Sequence, residues 1–194
     1  MPLSAVAQTA PLRVVALGDS LTAGYGLQAG EDFASQLQKS LIARKMNVKI
    51  ENAGVSGDTT AGGLSRLDWA TGGEPKPDLV IVALGGNDLL RGISPATSKA
   101  NLKAILQKLK DRQIPALLVG MRAPPNMGAA FQKQFDAVYP DLAEEYNVPL
   151  YAFFLDGVAM NPKLNLPDGV HPTAEGIRLI VQKMLPDVTA ALKR

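Results

Sequence analysis

Val14-Val-Ala-Leu-Gly-Asp-Ser-Leu21 is the end of an apolar run that stops at a glycine, an aspartate and a serine. A continuous run rich in β-branched and aliphatic residues is typical of a strand buried on both faces, as in a parallel sheet. The glycine and the aspartate then favour a tight turn at the end of that strand. Ser20 is therefore predicted to lie exposed on this turn, where its hydroxyl can act as a nucleophile.

Four further apolar runs follow along the chain. The five predicted strands cover residues 12–17, 48–52, 79–84, 116–121 and 150–154. Segments with apolar residues at helical spacing separate them, and the last two helices contain Pro140, expected to kink or interrupt its helix, and Pro186, expected to bend its helix. Strands that alternate with helices over short connections imply parallel pairing. The sequence thus predicts a doubly wound, flavodoxin-like α/β fold, a three-layer sandwich around a five-stranded parallel sheet.

The composition is that of one domain with a sizeable core. The chain has 194 residues, of which 46% are hydrophobic, and no linker or repeat marks a boundary, so we expect a single domain over residues 11–194. The formal net charge is +2 and Lys and Arg are scattered, which favours neither nucleic acid nor an anionic membrane surface as a partner. No segment reaches the ~20 apolar residues of a bilayer span, so no stable membrane anchor is expected.

Two residue counts restrict the chemistry. The absence of cysteine excludes a disulfide framework, a thiolate nucleophile and a cysteine metal site. A single histidine, His171, argues against a histidine-rich zinc site. The sequence therefore predicts neither a metal nor a cofactor, and it gives no indication of the oligomeric state.

The N-terminal residues resemble a processing site. Residues 2–10 carry small side chains at alternating positions, as around the cleavage site of a secretory signal peptide, but the basic and long apolar parts of a signal are missing. We interpret residues 1–10 as the remnant of a removed signal, which predicts a periplasmic or secreted protein. The alternative is a disordered N-terminus of a cytoplasmic protein.

Polar or glycine-containing segments follow every predicted strand. In a doubly wound sheet the ligand binds beyond the carboxyl ends of the strands, so these segments should meet at one crevice. They are residues 18–20, 53–57, 85–88, 121–128 and the segment that carries Asp168 and His171.

Asp168 and His171 stand three residues apart, with Gly169 between them to allow a tight turn. A hydrolase with an activated serine needs a neutral imidazole as base and a carboxylate that fixes its tautomer. Because the chain has one histidine, the choice of base is forced. We predict that Asp168 binds one imidazole nitrogen and that the other nitrogen accepts the proton of Ser20.

Attack on an ester places negative charge on the carbonyl oxygen, and positioned donors stabilise that charge. Three donors are available here: the backbone N–H groups of Ser20 and Gly57, and the side-chain amide of Asn87. Gly57 lacks a Cβ, so its backbone can approach a substrate closely. The amide of Asn87 donates without a charge that would bind the nucleophile or the base.

These segments together resemble the sequence blocks of the GDSL, or SGNH, hydrolase superfamily. The blocks are Gly18-Asp-Ser-Leu21, Gly57, Gly85-Gly-Asn-Asp88 and Asp168-x-x-His171, and their order and spacing cover nearly the whole domain. The continuations Ala23-Gly-Tyr-Gly26 and Asn87-Asp-Leu-Leu-Arg-Gly92 are similar to the bacterial lysophospholipase, thioesterase and arylesterase group. The resemblance implies that Ser20, Asp168 and His171 form a catalytic triad and that Gly57 and Asn87 complete an oxyanion hole.

Residues beside these blocks are expected to have supporting roles. Asp19 and Asp88 neighbour catalytic candidates, but an aspartate in a turn most often accepts hydrogen bonds from nearby backbone N–H groups, so we predict structural support. Asp58, Thr59 and Thr60 are interpreted as the cap of the next helix. Apolar residues of the rim loops should line an acyl or aryl groove, with Leu89, Leu90, Pro124 and Met127 as candidates.

The predicted function is hydrolysis of carboxylic esters through an acyl-enzyme intermediate. The resemblance implies aryl and short-to-medium acyl esters, acyl-CoA thioesters or lysophospholipids as substrates, because the fold and the triad do not fix the leaving group. A carbohydrate O-deacetylase on the same fold is the nearest alternative, although such an enzyme would need a more polar groove. A lipid or glycan carrier without catalysis is a second alternative. A flavodoxin-like electron carrier is a further alternative, which would predict bound yellow flavin in the purified protein. A nucleotide-binding protein is disfavoured, because the spacing of Gly18, Gly24 and Gly26 matches neither the dinucleotide-binding nor the phosphate-binding-loop motif.

Overall fold

The computed structural model describes residues 10–193, so residues 1–9, and with them nearly all of the proposed signal remnant, lie outside the described residues. The strands and the helices alternate as predicted. In chain order they are β1 (Leu12–Gly18), α1 (Ser20–Ala23), α2 (Phe33–Ala43), β2 (Val48–Gly54), α3 (Thr60–Ala70), β3 (Leu79–Ala83), α4 (Gly86–Leu90), α5 (Pro95–Asp111), β4 (Ala116–Val119), α6 (Ala129–Tyr146), β5 (Leu150–Tyr151) and α7 (Ala174–Ala191).

The five strands form one sheet in the order β2-β1-β3-β4-β5, and every neighbouring pair is parallel. The chain first adds β2 on one side of β1 and then returns to add β3 on the other, so the strand order reverses between β1 and β3. In the register of the sheet, Gly18 lies opposite both Gly54 and Ala83. The loops after β1, β2 and β3 therefore leave the sheet at the same level, beside the point where a doubly wound sheet binds its ligand.

Helices cover both faces of the sheet, which confirms the three-layer, doubly wound fold. Val14 and Ala16 of β1 pack toward α2 and α7, whereas Val15 and Leu17 pack toward α3, α5 and α6. All four of these side chains are buried. The continuous apolar runs of the sequence arise because strand residues of both orientations are removed from water.

β4 and β5 are shorter than predicted. The sequence predicts strands over residues 116–121 and 150–154, whereas the structure has strands over Ala116–Val119 and Leu150–Tyr151. The two segments stay close after the strands end: a Cβ on Gly120 would lie 2.4 Å from the carbonyl oxygen of Ala152. The backbone then turns, and the buried ring of Phe154 packs against that of Phe33 with 5.3 Å between centroids. The last apolar residue of the run 150–154 is therefore buried against α2 and does not extend the sheet.

Of the two outcomes expected at Pro140, the interruption is wrong, because α6 continues through that residue. α7 also continues through Pro186. The kink at Pro140 and the bend at Pro186 stay predictions. Proline in a helix interior costs about 3 kcal/mol. Buried residues on both sides of Pro140, such as Val138 and Leu142, hold α6 against the sheet, and burial of two such side chains contributes a similar or larger amount. Among the described residues, no helix is long and apolar enough to cross a membrane.

Candidate active site

Ser20 is the first residue of α1, directly after the turn that ends β1. The side chain of Asp19 caps this short helix by accepting a hydrogen bond from the backbone N–H of Leu21 at 3.0 Å. The turn is tight at Gly18, where a Cβ would lie 2.0 Å from the hydroxyl of Thr22. This local sequence lifts the Ser20 side chain out of the sheet edge and into a cavity.

Ser20, His171 and Asp168 form a continuous hydrogen-bonded chain. The hydroxyl Oγ of Ser20 lies 2.9 Å from Nε2 of His171, and Nδ1 of His171 lies 2.7 Å from Oδ2 of Asp168. The imidazole thus bridges a hydroxyl and a carboxylate through its two nitrogens. This is the arrangement by which a base removes the hydroxyl proton while a carboxylate holds its tautomer.

Backbone hydrogen bonds hold the carboxylate of Asp168. Its Oδ1 accepts from the N–H groups of Val170 at 2.9 Å and His171 at 3.0 Å. These two bonds, together with the bond from the imidazole, lower the pKa of Asp168 to about 2. The turn depends on Gly169, whose φ of +70° is a left-handed conformation that side chains disfavour. Asp168 is therefore a fixed anion at neutral pH.

The ring of Tyr25 covers one face of His171. The two ring centroids are 4.4 Å apart and the planes are tilted by 34°. An aromatic ring packed at this distance restricts the orientation of the imidazole. The sequence did not predict a contact between Tyr25 and His171, although Tyr25 lies only five residues after Ser20, between Gly24 and Gly26.

The three predicted oxyanion donors lie around the same cavity. Among the described residues, the backbone N–H groups of Ser20 and Gly57 have no hydrogen-bond partner. The amide Nδ2 of Asn87 donates to the carbonyl of Asp58 at 2.9 Å and lies 3.4 Å from Oδ2 of Asp19. One strong bond thus fixes the orientation of the amide, and its second hydrogen has only a long contact.

Gly57 has a left-handed backbone conformation. Its φ is +84°, and a Cβ there would approach only the guanidinium of Arg91, at 3.5 Å. A side chain at this position would be disfavoured by the left-handed backbone conformation and not by contact with neighbouring protein atoms. Next to it, Arg66 of α3 binds the carboxylate of Asp58 and the carbonyls at the ends of β1 and β2, and so holds this loop to the sheet edge.

The cavity has a volume of about 440 Å³, within the range of small-molecule sites. All four apolar residues proposed for the groove line it, namely Leu89, Leu90, Pro124 and Met127. Leu89 is buried and forms the wall, whereas Leu90 is 71% exposed and lies at the rim. Further apolar lining comes from residues that the sequence did not single out: Leu21, Tyr25, Met121, Leu155 and Val170.

The chain matches the GDSL-like lipase/acylhydrolase family over residues 16–179. It belongs to this family. The match contains every residue of the hydrogen-bonded chain and all three candidate donors, and it confirms the resemblance drawn from the four sequence blocks.

Individual relatives of this GDSL hydrolase are similar over most of its length. It is 38% identical to an arylesterase of Vibrio mimicus over 89% of this chain and 86% of that protein. It is also 38% identical to thioesterase 1/protease 1/lysophospholipase L1 of Escherichia coli K12, over 87% of this chain and 79% of that protein. The crystal structure of AlinE4, an SGNH-hydrolase family esterase, superposes with a TM-score of 0.80 at 50% identity, covering 95% of this chain and 98% of that one.

Asp88 of the GDSL hydrolase joins three helices at one buried point. Its carboxylate accepts from the N–H and hydroxyl of Thr60, at 2.8 and 2.6 Å, and from the hydroxyl of Ser98 at 2.8 Å. The helix cap expected nearby is present, because the Thr59 hydroxyl accepts from the N–H of Gly62. Asp88 thereby fixes α4, which carries Asn87, to α3 and α5.

Within residues 10–193, no group of three or more acidic, histidine or cysteine side chains could hold a metal ion.

Asp19 is a buried carboxylate beside the donors of the GDSL hydrolase, with 3% of its surface exposed. Burial raises its pKa to about 6, against about 4 in an unfolded chain. Between these pH values the folded state binds more protons, so the contribution of Asp19 to stability is complete below pH ~4 and is lost as the pH rises through about 6.

We therefore expect Asp19→Asn to stabilise the folded state at pH 8, because it removes a buried charge that costs up to about 3 kcal/mol. The difference from wild type should shrink toward pH 4, which urea unfolding at the two pH values would measure. Asp111→Asn, at an exposed helix end, is the control and should change stability little at either pH. An equal effect of Asp19→Asn at both pH values would contradict the assignment.

Proposed function

We propose that this GDSL hydrolase is a cofactor-free serine esterase, with Ser20 as nucleophile, His171 as general base and Asp168 as the carboxylate that orients the base. The observation that carries this proposal is the hydrogen-bonded chain from Ser20 through His171 to Asp168, at 2.9 and 2.7 Å, opening into an apolar cavity. It acts on small-molecule carboxylic esters.

The reaction begins when Nε2 of His171 takes the hydroxyl proton and Oγ of Ser20 attacks the ester carbonyl. The carbonyl π electrons move onto oxygen, which the N–H groups of Ser20 and Gly57 and the amide of Asn87 stabilise. Each such donor is worth roughly 3 to 4 kcal/mol in comparable sites. The tetrahedral intermediate then collapses: the C–O bond to the leaving group breaks, His171 protonates that group, and the acyl-enzyme remains.

Hydrolysis of the acyl-enzyme repeats the same steps with water as the nucleophile. His171 accepts a proton from water, the hydroxide attacks the acyl carbon, and collapse returns the proton to Oγ of Ser20 with release of the carboxylic acid. Throughout, the anionic Asp168 keeps a hydrogen on Nδ1, so that Nε2 is free to act as the base, and it stabilises the imidazolium.

The cavity favours esters with an apolar acyl or aryl group. Its walls are dominated by aliphatic and thioether side chains, including Leu89, Met121 and Met127. Methionine is flexible and accommodates differently shaped apolar groups, which suits a range of acyl chains. Relatives named arylesterase and thioesterase/lysophospholipase support aryl esters, acyl thioesters and lysophospholipids as substrates. A carbohydrate deacetylase would need more polar walls than this mainly apolar lining.

The test of this proposal is the initial hydrolysis rate across p-nitrophenyl esters from acetate to palmitate, with an acyl-CoA and a lysophospholipid alongside. We expect a maximum at a short or medium chain, because the volume of about 440 Å³ is near the lower end for small-molecule sites. Ser20→Ala serves as the blank. If no substrate gave a rate that depends on Ser20, the esterase assignment would be wrong.

We also propose that residues 11–194 form the catalytic domain and that the protein acts in the periplasm or outside the cell. The small-residue pattern of residues 2–10 supports export. Fractionation of the native cells with an antibody against this protein tests this: protein and Ser20-dependent esterase activity should be found in the periplasmic or extracellular fraction, and recovery of both in the cytoplasmic fraction would contradict the proposal.

A further inference from the structure

Helix α4 holds the loop after β2 by a series of contacts from nearby residues. The amide of Asn87 donates to the carbonyl of Asp58 at 2.9 Å, and the carboxylate of Asp88 accepts from Thr60. Arg91, the C-cap of α4, donates from Nη2 to the carbonyl of Gly57 at 2.7 Å. The element that carries one proposed oxyanion donor thus binds the loop that carries another.

The contact of Arg91 differs from those of the other two residues. The carbonyl of Gly57 belongs to the same residue as the proposed N–H donor, and a glycine at φ +84° has wide conformational freedom of its own. A hydrogen bond to this carbonyl restricts the peptide that follows Gly57 and so limits how the residue can rotate. Neither Asn87 nor Asp88 contacts Gly57 in this way.

Arg91 has no competing role in an ion pair. Within the described part of the chain no carboxylate lies within 4.0 Å of its guanidinium, whereas Arg13 and Arg66 each bind a glutamate or aspartate. The Arg91 side chain is exposed, so its removal leaves no buried cavity. Among the described residues, the bond to the carbonyl of Gly57 is the one hydrogen bond that the Arg91 side chain makes.

We propose that Arg91 is a positioning residue for the oxyanion hole, which holds the backbone of Gly57 so that its N–H points at the developing oxyanion. This inference rests on the proposed esterase function. Because the oxyanion forms only in the transition state, loss of Arg91 should slow turnover and leave ground-state binding of the ester nearly unchanged.

Arg91→Met removes the donors and keeps an unbranched side chain. We expect kcat to fall about tenfold or more, as for loss of part of one oxyanion donor, while KM changes less than twofold. The affinity for an alkyl trifluoromethyl ketone, which forms an oxyanion on Ser20, should fall by the same factor as kcat/KM. The inhibition constant of an uncharged alcohol of the same chain length, which places no anionic oxygen near the donors, should stay constant. Arg91→Lys, which keeps a charged donor, should recover part of kcat.

Arg44→Met is the matched control, because Arg44 is also an exposed helix C-cap but lies at the end of α2. It should behave as wild type. A rise in KM alone in Arg91→Met would overturn the proposal and make Arg91 a substrate contact. Unchanged kinetics in a variant whose wild-type parent shows Ser20-dependent hydrolysis would also overturn it, without affecting the esterase assignment. Absence of any Ser20-dependent hydrolysis would overturn both.

Discussion

Ser20→Ala is expected to lower kcat for a p-nitrophenyl ester by about 10⁴-fold or more and to leave the fold intact. The variant loses the nucleophile and with it the acyl-enzyme, while the backbone N–H of residue 20 and the cavity remain. The side chain lies at the sheet edge and its hydroxyl bonds only to His171 among the described residues, so its loss should cost little stability. Steady-state rates and thermal unfolding of both proteins measure the two effects.

Ser56→Ala is a matched control for this change. Ser56 lines the same cavity, but within the described residues its hydroxyl makes no hydrogen bond to His171. It should retain most of the activity, and a serine-directed phosphonate should still label that variant but not Ser20→Ala. More than a trace of esterase activity in Ser20→Ala, above a mock preparation, would exclude Ser20 as the nucleophile.

His171→Ala is expected to be nearly as damaging, with a loss of about 10³-fold or more, because the chain has no second histidine to act as the base. The substitution empties the space between Ser20, Tyr25 and Asp168. Imidazole added in solution can occupy that space, stack on Tyr25 and bind the carboxylate. We therefore expect partial recovery of activity that increases with imidazole concentration, measured on a short p-nitrophenyl ester.

The matched control for this rescue is Ser20→Ala, in which the base is present and the nucleophile is missing. Imidazole should not restore its activity, and the difference separates rescue of the enzyme from direct attack of imidazole on the ester. Full activity of His171→Ala without added imidazole would rule out His171 as the base.

Much of the fold and the position of the candidate site follow from local sequence. The runs that begin at Leu12 and Leu79 are apolar at every position of the strand core because both faces of the sheet are covered. This pattern can be recognised in the sequence without knowing which helices pack on the strand. Parallel pairing then brings the ends of the strands to one edge, so Ser20, Gly57 and Asn87 can be placed together from their order alone.

Other features depend on packing between distant segments, which local patterns do not encode. Tyr25 packs on His171, which lies 146 residues further along the chain, and Arg91 binds the carbonyl of Gly57, which lies 34 residues before it. Both contacts depend on the directions of side chains from separate loops. The continuity of α6 through Pro140 is decided by burial of its neighbours, which outweighs the local preference of proline. In each case a tertiary contact selects among conformations that the local sequence leaves open.

The loop after β4 stands apart from the other four segments at the sheet edge. It contributes Met121, Pro124 and Met127 to the cavity but no member of the hydrogen-bonded chain and none of the three donors. It is braced from behind by α6, whose Asp136 accepts from the N–H of Ala123 and whose Gln132 donates to the carbonyl of that residue. Met121, Pro124 and Met127 are therefore cavity-lining side chains on a loop that carries none of the proposed reacting groups. Libraries confined to positions 121, 124 and 127 are expected to change acyl preference without altering the proposed triad or the three donors.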